Sequence, residues 1–307
     1  MLTTPAAGAK GTSTNVMRIL LTVLFLTLAA AAPVRAAGVE WHRKFEAARE
    51  LAKQTGKPML IDFQADWCKP CKEMERSFWP RPEVVGLAQK FVCVQLNFDS
   101  TGSERARYRV DRIPAVIFTD PWGNFLTAHF GYGPGKDALL TRVMQAVPGD
   151  YTPVADWMAA LEKNKESAPA LVQVGDFYRR NGVFDLSTSY FKRALKTKEV
   201  EADAKARARV IIALGVNLSK QEEHGEARKM FERYLKEFPD GPEADFALLG
   251  VITMQLRKNK LAEAEQTLAR LKAEHPASER TRQAERQFEA SPWAPPPPSS
   301  SSSKTAR

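Results

Sequence analysis

The sequence predicts two domains of different class: an α/β domain with a central sheet covered by helices on both faces, followed by an all-α domain. Between residues 38 and 150, helix-like and strand-like segments alternate. After residue 150 the strand signals disappear, and a pattern of small and aromatic positions recurs. A length of 307 residues also suits about two domains.

The α/β domain contains apolar runs with the periods typical of strands and helices. Strands are predicted over residues 59–64, 91–98, 115–119 and 125–130. Helices are predicted over residues 45–54, 69–78, 83–89, 103–108 and 136–147. Gly56 ends the first helix, and Pro80 and Pro82 break the chain before the third. A turn, Asp120-Pro121-Trp122-Gly123-Asn124, joins the last two strands.

A C-x-x-C motif, Trp67-Cys68-Lys69-Pro70-Cys71, lies between a predicted buried strand and a predicted helix. This position puts the Cys68 sulfur at the helix N-terminus, where unpaired N–H groups and the adjacent Lys69 favour a thiolate. Pro70 is tolerated in the first turn. We expect Cys68 to attack a substrate disulfide and Cys71 to resolve the mixed disulfide. A structural disulfide is the alternative, but it would close a short loop and gain little entropy.

The longer stretch Ile61-Asp62-Phe63-Gln64-Ala65-Asp66-Trp67-Cys68-Lys69-Pro70-Cys71 resembles the active-site segment of thioredoxin-like proteins. The tripeptide Arg112-Ile113-Pro114 resembles their later loop, which carries a cis proline. The resemblance extends over residues 39–147 and implies a thioredoxin-like fold with a central mixed sheet. Residues 72–78 are similar to periplasmic reductant domains that supply electrons to other envelope thiol proteins. The resemblance implies a thiol:disulfide oxidoreductase whose electrons pass through the Cys68–Cys71 pair, without a bound cofactor.

Asp62 lies on an apolar strand, and the resemblance implies that it is a buried acid that accepts the proton of Cys71 during resolution. An unpaired buried carboxylate is unfavourable, which favours a functional role. The alternative is a surface or N-capping role. Gln64 and Gln95 stand where the family often has an aromatic residue and a lysine.

The resemblance also predicts a substrate-binding surface. The Ile113–Pro114 bond would be cis and lie against the dithiol, with Ile113 offering backbone hydrogen bonds to a bound substrate strand. An ordinary trans proline is the alternative. Trp67 would pack beside the site and shape its rim.

The remaining cysteine and the histidines predict no metal site. Cys93 lies in an apolar strand, where a free cysteine behaves as a small buried hydrophobe. The four histidines are scattered singly, so the ligands for a zinc site are lacking. The formal net charge of +9 is spread among acidic residues, which is typical of solvated helix faces. We therefore expect no nucleic-acid partner.

The predicted all-α domain, residues 151–290, contains three similar units. Their shared positions are Leu171, Val174, Gly175, Tyr178, Ser187, Phe191 and Ala194, then Ile211, Leu214, Gly215, Leu218, Ala227, Phe231, Tyr234 and Pro239, and more loosely Leu248, Val251, Ile252, Gln255, Ala264, Leu268, Leu271 and Pro276. The units resemble tetratricopeptide helix pairs, but they recur after 40 and 37 residues rather than about 34. Ile252 replaces the small residue in the third unit. An irregular helical bundle is the alternative; residues 282–288 are expected to form a capping helix.

Five basic residues on the first helices of the units are predicted to face one concave surface: Arg179, Arg180, Arg209, Lys220 and Arg257. Charge-assisted hydrogen bonds from these side chains would suit an acidic peptide or a C-terminal carboxylate. Ordinary solvated helix faces are the alternative.

The two ends of the chain are predicted to lie outside the folded domains. Lys10 and Arg18 precede an apolar run over residues 19–32 and a small-x-small site, which predicts a signal peptide over residues 1–36 and a periplasmic protein. Met17 is an alternative start. An uncleaved anchor is the other alternative, although the run is shorter than the roughly 20 residues that span a bilayer. Residues 291–307, rich in proline and serine, are predicted to be a disordered tail.

The sequence thus indicates an exported thiol:disulfide oxidoreductase that reduces disulfides of envelope proteins and is recharged by a membrane or envelope electron donor. Two alternatives stay open: a disulfide-forming oxidant, and a repeat-based binding scaffold with an accessory redox domain.

Overall fold

The computed structural model describes residues 38–292. The predicted signal peptide, and all but the first two residues of the predicted tail, lie outside this range. Within it, none of the helices combines the length and the apolar character that crossing a bilayer requires.

The first domain is built on a five-stranded mixed sheet of order β1-β3-β2-β4-β5. The strands are β1 (Trp41–His42), β2 (Met59–Gln64), β3 (Val92–Asn97), β4 (Ala115–Thr119) and β5 (Phe125–Phe130). Strands β1 and β2 run parallel to β3, whereas β4 is antiparallel to β2 and β5. The four predicted strands are confirmed. The edge strand β1 was not predicted, since two residues are too few to show an alternating pattern.

Helices cover both faces of this sheet, as predicted. They are α1 (Phe45–Thr55), α2 (Lys69–Ser77), α3 (Pro82–Ala88), α4 (Gly102–Tyr108) and α5 (Lys136–Ala146). On one face, Phe45 of α1 and Tyr108 of α4 pack against Ile61. On the other face, helices α2, α3 and α5 pack in one cluster with Leu60 of β2. Strand β2 is therefore covered on both sides, which explains its continuous apolar run.

The second domain is all helical over the described residues from 151 onward. After a 3-10 turn (Thr152–Val154) come α6 (Ala155–Lys163), α7 (Ala168–Arg180), α8 (Phe184–Ala194), α9 (Lys198–Ala202), α10 (Ala204–Lys220), α11 (His224–Glu237), α12 (Ala244–Arg257), α13 (Leu261–Glu274) and α14 (Glu279–Glu289). The predicted capping helix is the C-terminal part of α14. The two-domain fold class is confirmed.

Glycines set the spacing within the first two repeat units. A Cβ atom added to Gly175 of α7 would lie 2.8 Å from the ring of Phe191 on α8. A Cβ atom added to Gly215 of α10 would lie 2.7 Å from the ring of Phe231 on α11. Each aromatic ring therefore occupies the space that a side chain on the first helix would need.

The third unit packs differently. Ile252 on α12 and Leu268 on α13 are both buried, so two aliphatic side chains of equal size replace the glycine and the aromatic ring of the first two units. Gly250 of α12 instead contacts the neighbouring unit, since a Cβ atom there would lie 2.6 Å from Phe231. The ring of Phe231 is thus held between glycines of two different units.

The turn between β4 and β5 packs against the helical domain and holds the two domains in contact. The buried carboxylate of Asp120 accepts hydrogen bonds from the backbone N–H groups of Trp122 and Asn124, at 2.9 and 2.8 Å. The Asn124 side chain donates a third, at 2.7 Å, and the hydroxyl of Tyr178 on α7 donates a fourth. Trp122 packs against the apolar cluster that contains Tyr151 and Tyr178. The turn was predicted from its composition, but its contact with the repeats was not.

We predict that Gly215→Ala lowers the free energy of unfolding by about 1–3 kcal/mol, because the new methyl group overlaps the ring of Phe231. Urea denaturation followed by circular dichroism measures this. Gly225→Ala is the matched control, since a Cβ atom at this helical glycine meets no atom within 4 Å. There alanine should leave stability unchanged or raise it by up to about 1 kcal/mol. Equal losses in the two variants would contradict the packing argument.

Candidate active site

Cys68 caps the N-terminus of helix α2. Its sulfur accepts a hydrogen bond from the backbone N–H of Cys71 at 3.2 Å. Lys69 and Pro70 are the first two helical residues, and the first turn of α2 contains no acidic residue. The free N–H groups and the positive end of the helix dipole therefore surround the Cys68 sulfur, which favours a thiolate in the reduced state.

Cys68 and Cys71 form a disulfide with Cα atoms 5.3 Å apart. Both residues are nearly buried, with exposed fractions of 3% and 6%, and pack with Ala65, Phe98 and Ile113. Exposure therefore does not distinguish the two cysteines. The position of Cys68 at the helix cap is what distinguishes them.

Two other predicted site residues lie beside the disulfide. The Ile113–Pro114 peptide bond is cis, which confirms that prediction. The side chain of Ile113 packs against the cluster formed by Ala65, Cys68 and Cys71. The carbonyl of Pro114 accepts a hydrogen bond from the backbone N–H of Gly131 at 2.7 Å, which ties this loop to the end of β5.

Trp67 forms an exposed rim beside the disulfide. Its side chain is 63% exposed, and its ring meets Phe98 edge-on at 6.3 Å. The indole N–H donates a hydrogen bond to Asp99 at 2.9 Å, which holds the ring in place. Sequence reasoning missed Asp99. The available signal was its place just after β3, because the carboxyl ends of the parallel strands β2 and β3 lie at the same edge of the sheet.

Asp62 lies on the sheet face that α2 covers. It follows Leu60 by two residues on the same face of β2, and Leu60 packs in one cluster with Met74 of α2. Cys71 precedes Met74 by one helical turn, so the carboxyl lies toward the first turn of α2. Asp62 is only 3% exposed, and this burial raises the pKa of its carboxyl to about 6, against a smaller lowering by the hydrogen bond from Gln95.

Two further residues link Asp62 to the surface by hydrogen bonds. Gln95, its partner across β3, donates from Nε2 to Asp62 Oδ2 at 3.1 Å. Arg43 donates from Nη1 to Gln95 Oε1 at 2.5 Å. Sequence reasoning singled out Gln95 only as a departure from the family pattern and did not find Arg43. No motif signals Arg43, since its contact depends on the short strand β1.

The third cysteine takes no part in this site. Cys93 is a free, buried thiol, as predicted, and packs in the cluster that contains Leu60. Burial raises the pKa of its thiol to about 12, so it stays protonated at neutral pH. Across residues 38–292, no group of three or more His, Cys, Asp or Glu side chains could hold a metal ion.

A second candidate site lies in the repeats, where a groove of about 530 Å³ runs between α7, α10 and α12. Arg179 and Arg209, two of the five predicted basic residues, both line it and both pair with the buried carboxylate of Asp176. The groove also has apolar lining residues and two more basic ones: Ala208, Ile212, Val216, Phe238, Phe246, Lys205 and Arg280. The other three predicted residues, Arg180, Lys220 and Arg257, are exposed but do not line this groove.

Comparison with known proteins agrees with both domains. Residues 40–121 match the family model described as thioredoxin-like, and residues 166–236 match that of the tetratricopeptide repeat. The chain therefore carries a thioredoxin-like domain fused to tetratricopeptide-like repeats. The class that this domain represents is that of the thiol:disulfide oxidoreductases.

Particular relatives match about a quarter to a third of this chain. The thiol:disulfide interchange protein DsbD of Vibrio vulnificus (strain CMCP6) is 34% identical over 102 residues, which are 32% of this chain and 16% of that protein. DsbD of Ralstonia nicotianae is 39% identical over 77 residues, which are 24% of this chain and 13% of that protein. The solved structure of DsbH oxidoreductase is 26% identical with a TM-score of 0.33, covering 37% of this chain and 87% of that one. The chain thus matches less than a fifth of each of these two DsbD proteins.

We predict that Asp62→Asn stabilises the protein at neutral pH. The carboxyl titrates near 6 when folded but near 3.8 as a free side chain, so its contribution favours folding below about pH 4 and is lost as the pH rises through 6. The difference of 6 − 3.8, about 2 pKa units, corresponds to at most about 3 kcal/mol. Denaturation in urea at pH 4 and pH 8 measures this: the gain should appear at pH 8 and vanish at pH 4. An equal gain in stability at pH 4 and pH 8 would contradict the conclusion that burial makes the ionised Asp62 carboxylate unfavourable.

Proposed function

We propose that the protein is an exported thiol:disulfide oxidoreductase that reduces disulfides in envelope proteins. The observation that carries the proposal is the Cys68–Cys71 disulfide at the N-terminus of α2, beside the cis Ile113–Pro114 bond and on the same sheet face as the buried Asp62. Each part serves a different step of thiol exchange.

In the reduced protein, the Cys68 thiolate attacks one sulfur of a substrate disulfide and expels the other substrate sulfur as a thiolate. A mixed disulfide between Cys68 and the substrate results. Asp62, ionised above its raised pKa of about 6, accepts the proton of the Cys71 thiol. The Cys71 thiolate then attacks the Cys68 sulfur and releases the second substrate thiol. The substrate gains two electrons, and the protein is left with the Cys68–Cys71 disulfide.

The surface around the disulfide suits an extended substrate segment. Trp67 offers an exposed aromatic face, fixed by Asp99, and the Ile113 side chain packs against the cluster that contains the two cysteines. In this proposal the backbone of Ile113 binds the substrate strand, and Lys69, at the first position of α2, favours the Cys68 thiolate. A membrane or envelope electron donor then returns the disulfide to the dithiol.

Export and reduction rest on separate support. The apolar run after Lys10 and Arg18 supports export to the periplasm. The similarity of the first domain to DsbD proteins supports exchange with other thiol proteins. Disulfide formation is the alternative direction, because the same dithiol chemistry runs either way according to its reduction potential.

We predict that Cys71→Ser accumulates mixed disulfides with its substrates in the cell envelope, because attack by Cys68 proceeds and resolution does not. Cys68→Ser is the matched control and should accumulate almost none. Non-reducing gel electrophoresis after acid quenching, followed by mass spectrometry, identifies the trapped proteins. Equal trapping by the two variants would overturn the proposed order of attack.

We predict a reduction potential nearer the roughly −270 mV of thioredoxin than the roughly −120 mV of a dedicated oxidant. Equilibration of the purified protein with glutathione buffers, followed by thiol alkylation, measures the oxidised fraction. A potential near the oxidant value would reassign the protein to disulfide formation and leave the order of attack intact.

The repeat groove favours a second function, binding of an acidic peptide. Its lining residues include four basic side chains, Arg179, Lys205, Arg209 and Arg280, and two acidic ones, Asp176 and Glu243, so its net charge is +4 − 2 = +2. Its floor is apolar. A peptide with acidic residues or a free C-terminal carboxylate beside an apolar side chain would match both properties.

We predict that Lys205→Glu with Arg280→Glu weakens binding of a fluorescent Asp- and Glu-rich peptide about tenfold, because both basic side chains line the groove. Arg180→Glu with Arg257→Glu changes the net charge equally but lies outside the groove, so this control should bind nearly as well as the parent. Fluorescence anisotropy at two salt concentrations measures both. Similar losses in the two variants would show that overall charge, and not the groove, attracts the peptide.

A further inference from the structure

We infer that Arg43 is a positioning residue for the resolving step: by holding Gln95 in one orientation, it keeps Asp62 in the form that accepts a proton. The inference rests on the proposed role of Asp62. Arg43 itself lies at the surface. It acts on the site through the buried side-chain amide of Gln95.

The three side chains form a chain of hydrogen bonds from the surface to the buried carboxyl. Arg43 donates to Gln95 Oε1 at 2.5 Å, and Gln95 Nε2 donates to Asp62 Oδ2 at 3.1 Å. Gln95 and Asp62 are direct neighbours in the parallel pairing of β2 and β3. Both are buried, so water does not compete for the bond between them as it would at the surface.

The orientation of the Gln95 amide decides which form of Asp62 it stabilises. An amide can present either its NH₂ group or its carbonyl oxygen to a neighbour. The NH₂ group stabilises an ionised carboxylate, whereas the carbonyl oxygen stabilises a protonated carboxyl, which can donate a hydrogen bond. A guanidinium only donates. Arg43 must therefore bind the carbonyl oxygen, which leaves only the NH₂ group for Asp62.

Strand β1 explains how Arg43 reaches this place. Trp41 and His42 pair with Cys93 and Val94 of β3, so the next residue, Arg43, arrives beside Gln95. The strand consists of only two residues, and its contribution to the sheet is correspondingly small. Its position at the edge nevertheless brings a permanent donor to the Gln95 amide, which donates to Asp62.

The other groups that act on Asp62 do not substitute for the hydrogen bond from the Gln95 amide. Burial raises the pKa of the carboxyl, and Glu75 on α2 raises it further by charge repulsion. A hydrogen bond from Trp79 and the charge of Arg43 lower it, after the larger lowering by Gln95. Cys93 on β3 stays a neutral thiol. Without the oriented amide, burial and Glu75 would favour the protonated carboxyl.

The test is the titration of Asp62 in the full-length oxidised protein, in which Cys68 and Cys71 do not titrate. Carbon-13 labelling of aspartate carboxyls gives the signal, and Asp62→Asn assigns it. Arg43→Met should raise the pKa of Asp62 by about one unit, because the bond from Gln95 to the carboxylate is weakened. Arg43→Lys should recover most of the shift, since an ammonium also only donates. Arg49→Met is the control, because Arg49 pairs with Glu46 on α1.

A double-mutant cycle separates the relay from a direct charge effect. In a Gln95→Leu background, Arg43→Met should add at most about a third of its original shift, because the connecting amide is gone. An undiminished shift in that background, or no shift from Arg43→Met alone, would overturn the inference.

The rate of resolution tests the link to function. In the mixed-disulfide form, in which Cys68 is bound to the substrate and Cys71 is a free thiol, the pH dependence of substrate release should move upward in Arg43→Met with the pKa of Asp62. If the pKa of Asp62 rises as expected but the pH dependence of substrate release does not change, the hydrogen-bond chain through Gln95 is supported and the role of Asp62 as proton acceptor is overturned. The two failures are therefore distinguishable.

Discussion

The first domain depends on a single constraint, the burial of strand β2 on both faces. This strand lies between β3 and β4, with helices above and below, and its residues Met59–Gln64 deliver the chain directly into the loop that ends at Cys68. A strand enclosed in this way is almost wholly apolar. Asp62 is the buried polar residue of the strand, and the same burial that makes its charge unfavourable gives the carboxyl a pKa of about 6. The core therefore sets both the position of the dithiol and the proton affinity beside it.

The two domains are joined at the end of the sheet away from the dithiol. Thr119 pairs with Met59 at the start of β2, and Asp120, which bonds to Tyr178 of the repeats, follows directly. The disulfide lies beyond the other end of β2. The helical domain is thus attached without drawing on the residues that border the cysteines, so both candidate sites can be occupied without sharing side chains.

Packing in the repeats follows volume more than residue type. Gly175 and Gly215 each face an aromatic ring, whereas in the third unit Ile252 and Leu268 divide the same space differently. A side chain larger than glycine on one helix and one smaller than an aromatic ring on the facing helix keep the total volume similar, so the core stays filled. The family pattern of a small residue and an aromatic one is therefore one solution among several, which is why the third unit folds without it.

Sequence alone determined the features that are local: the strands and helices with clear periods, the dithiol at a helix start and the helical character of the second half. The cis proline followed from a resemblance in neighbouring residues. Tertiary structure alone decided which distant side chains meet. Arg43 reaches Gln95 across 52 positions, Trp67 reaches Asp99 across 32, and Tyr178 reaches Asp120 across 58. Periodicity reports which face of an element is buried, but it carries no information about the partner that covers that face, because the partner depends on strand order and helix packing.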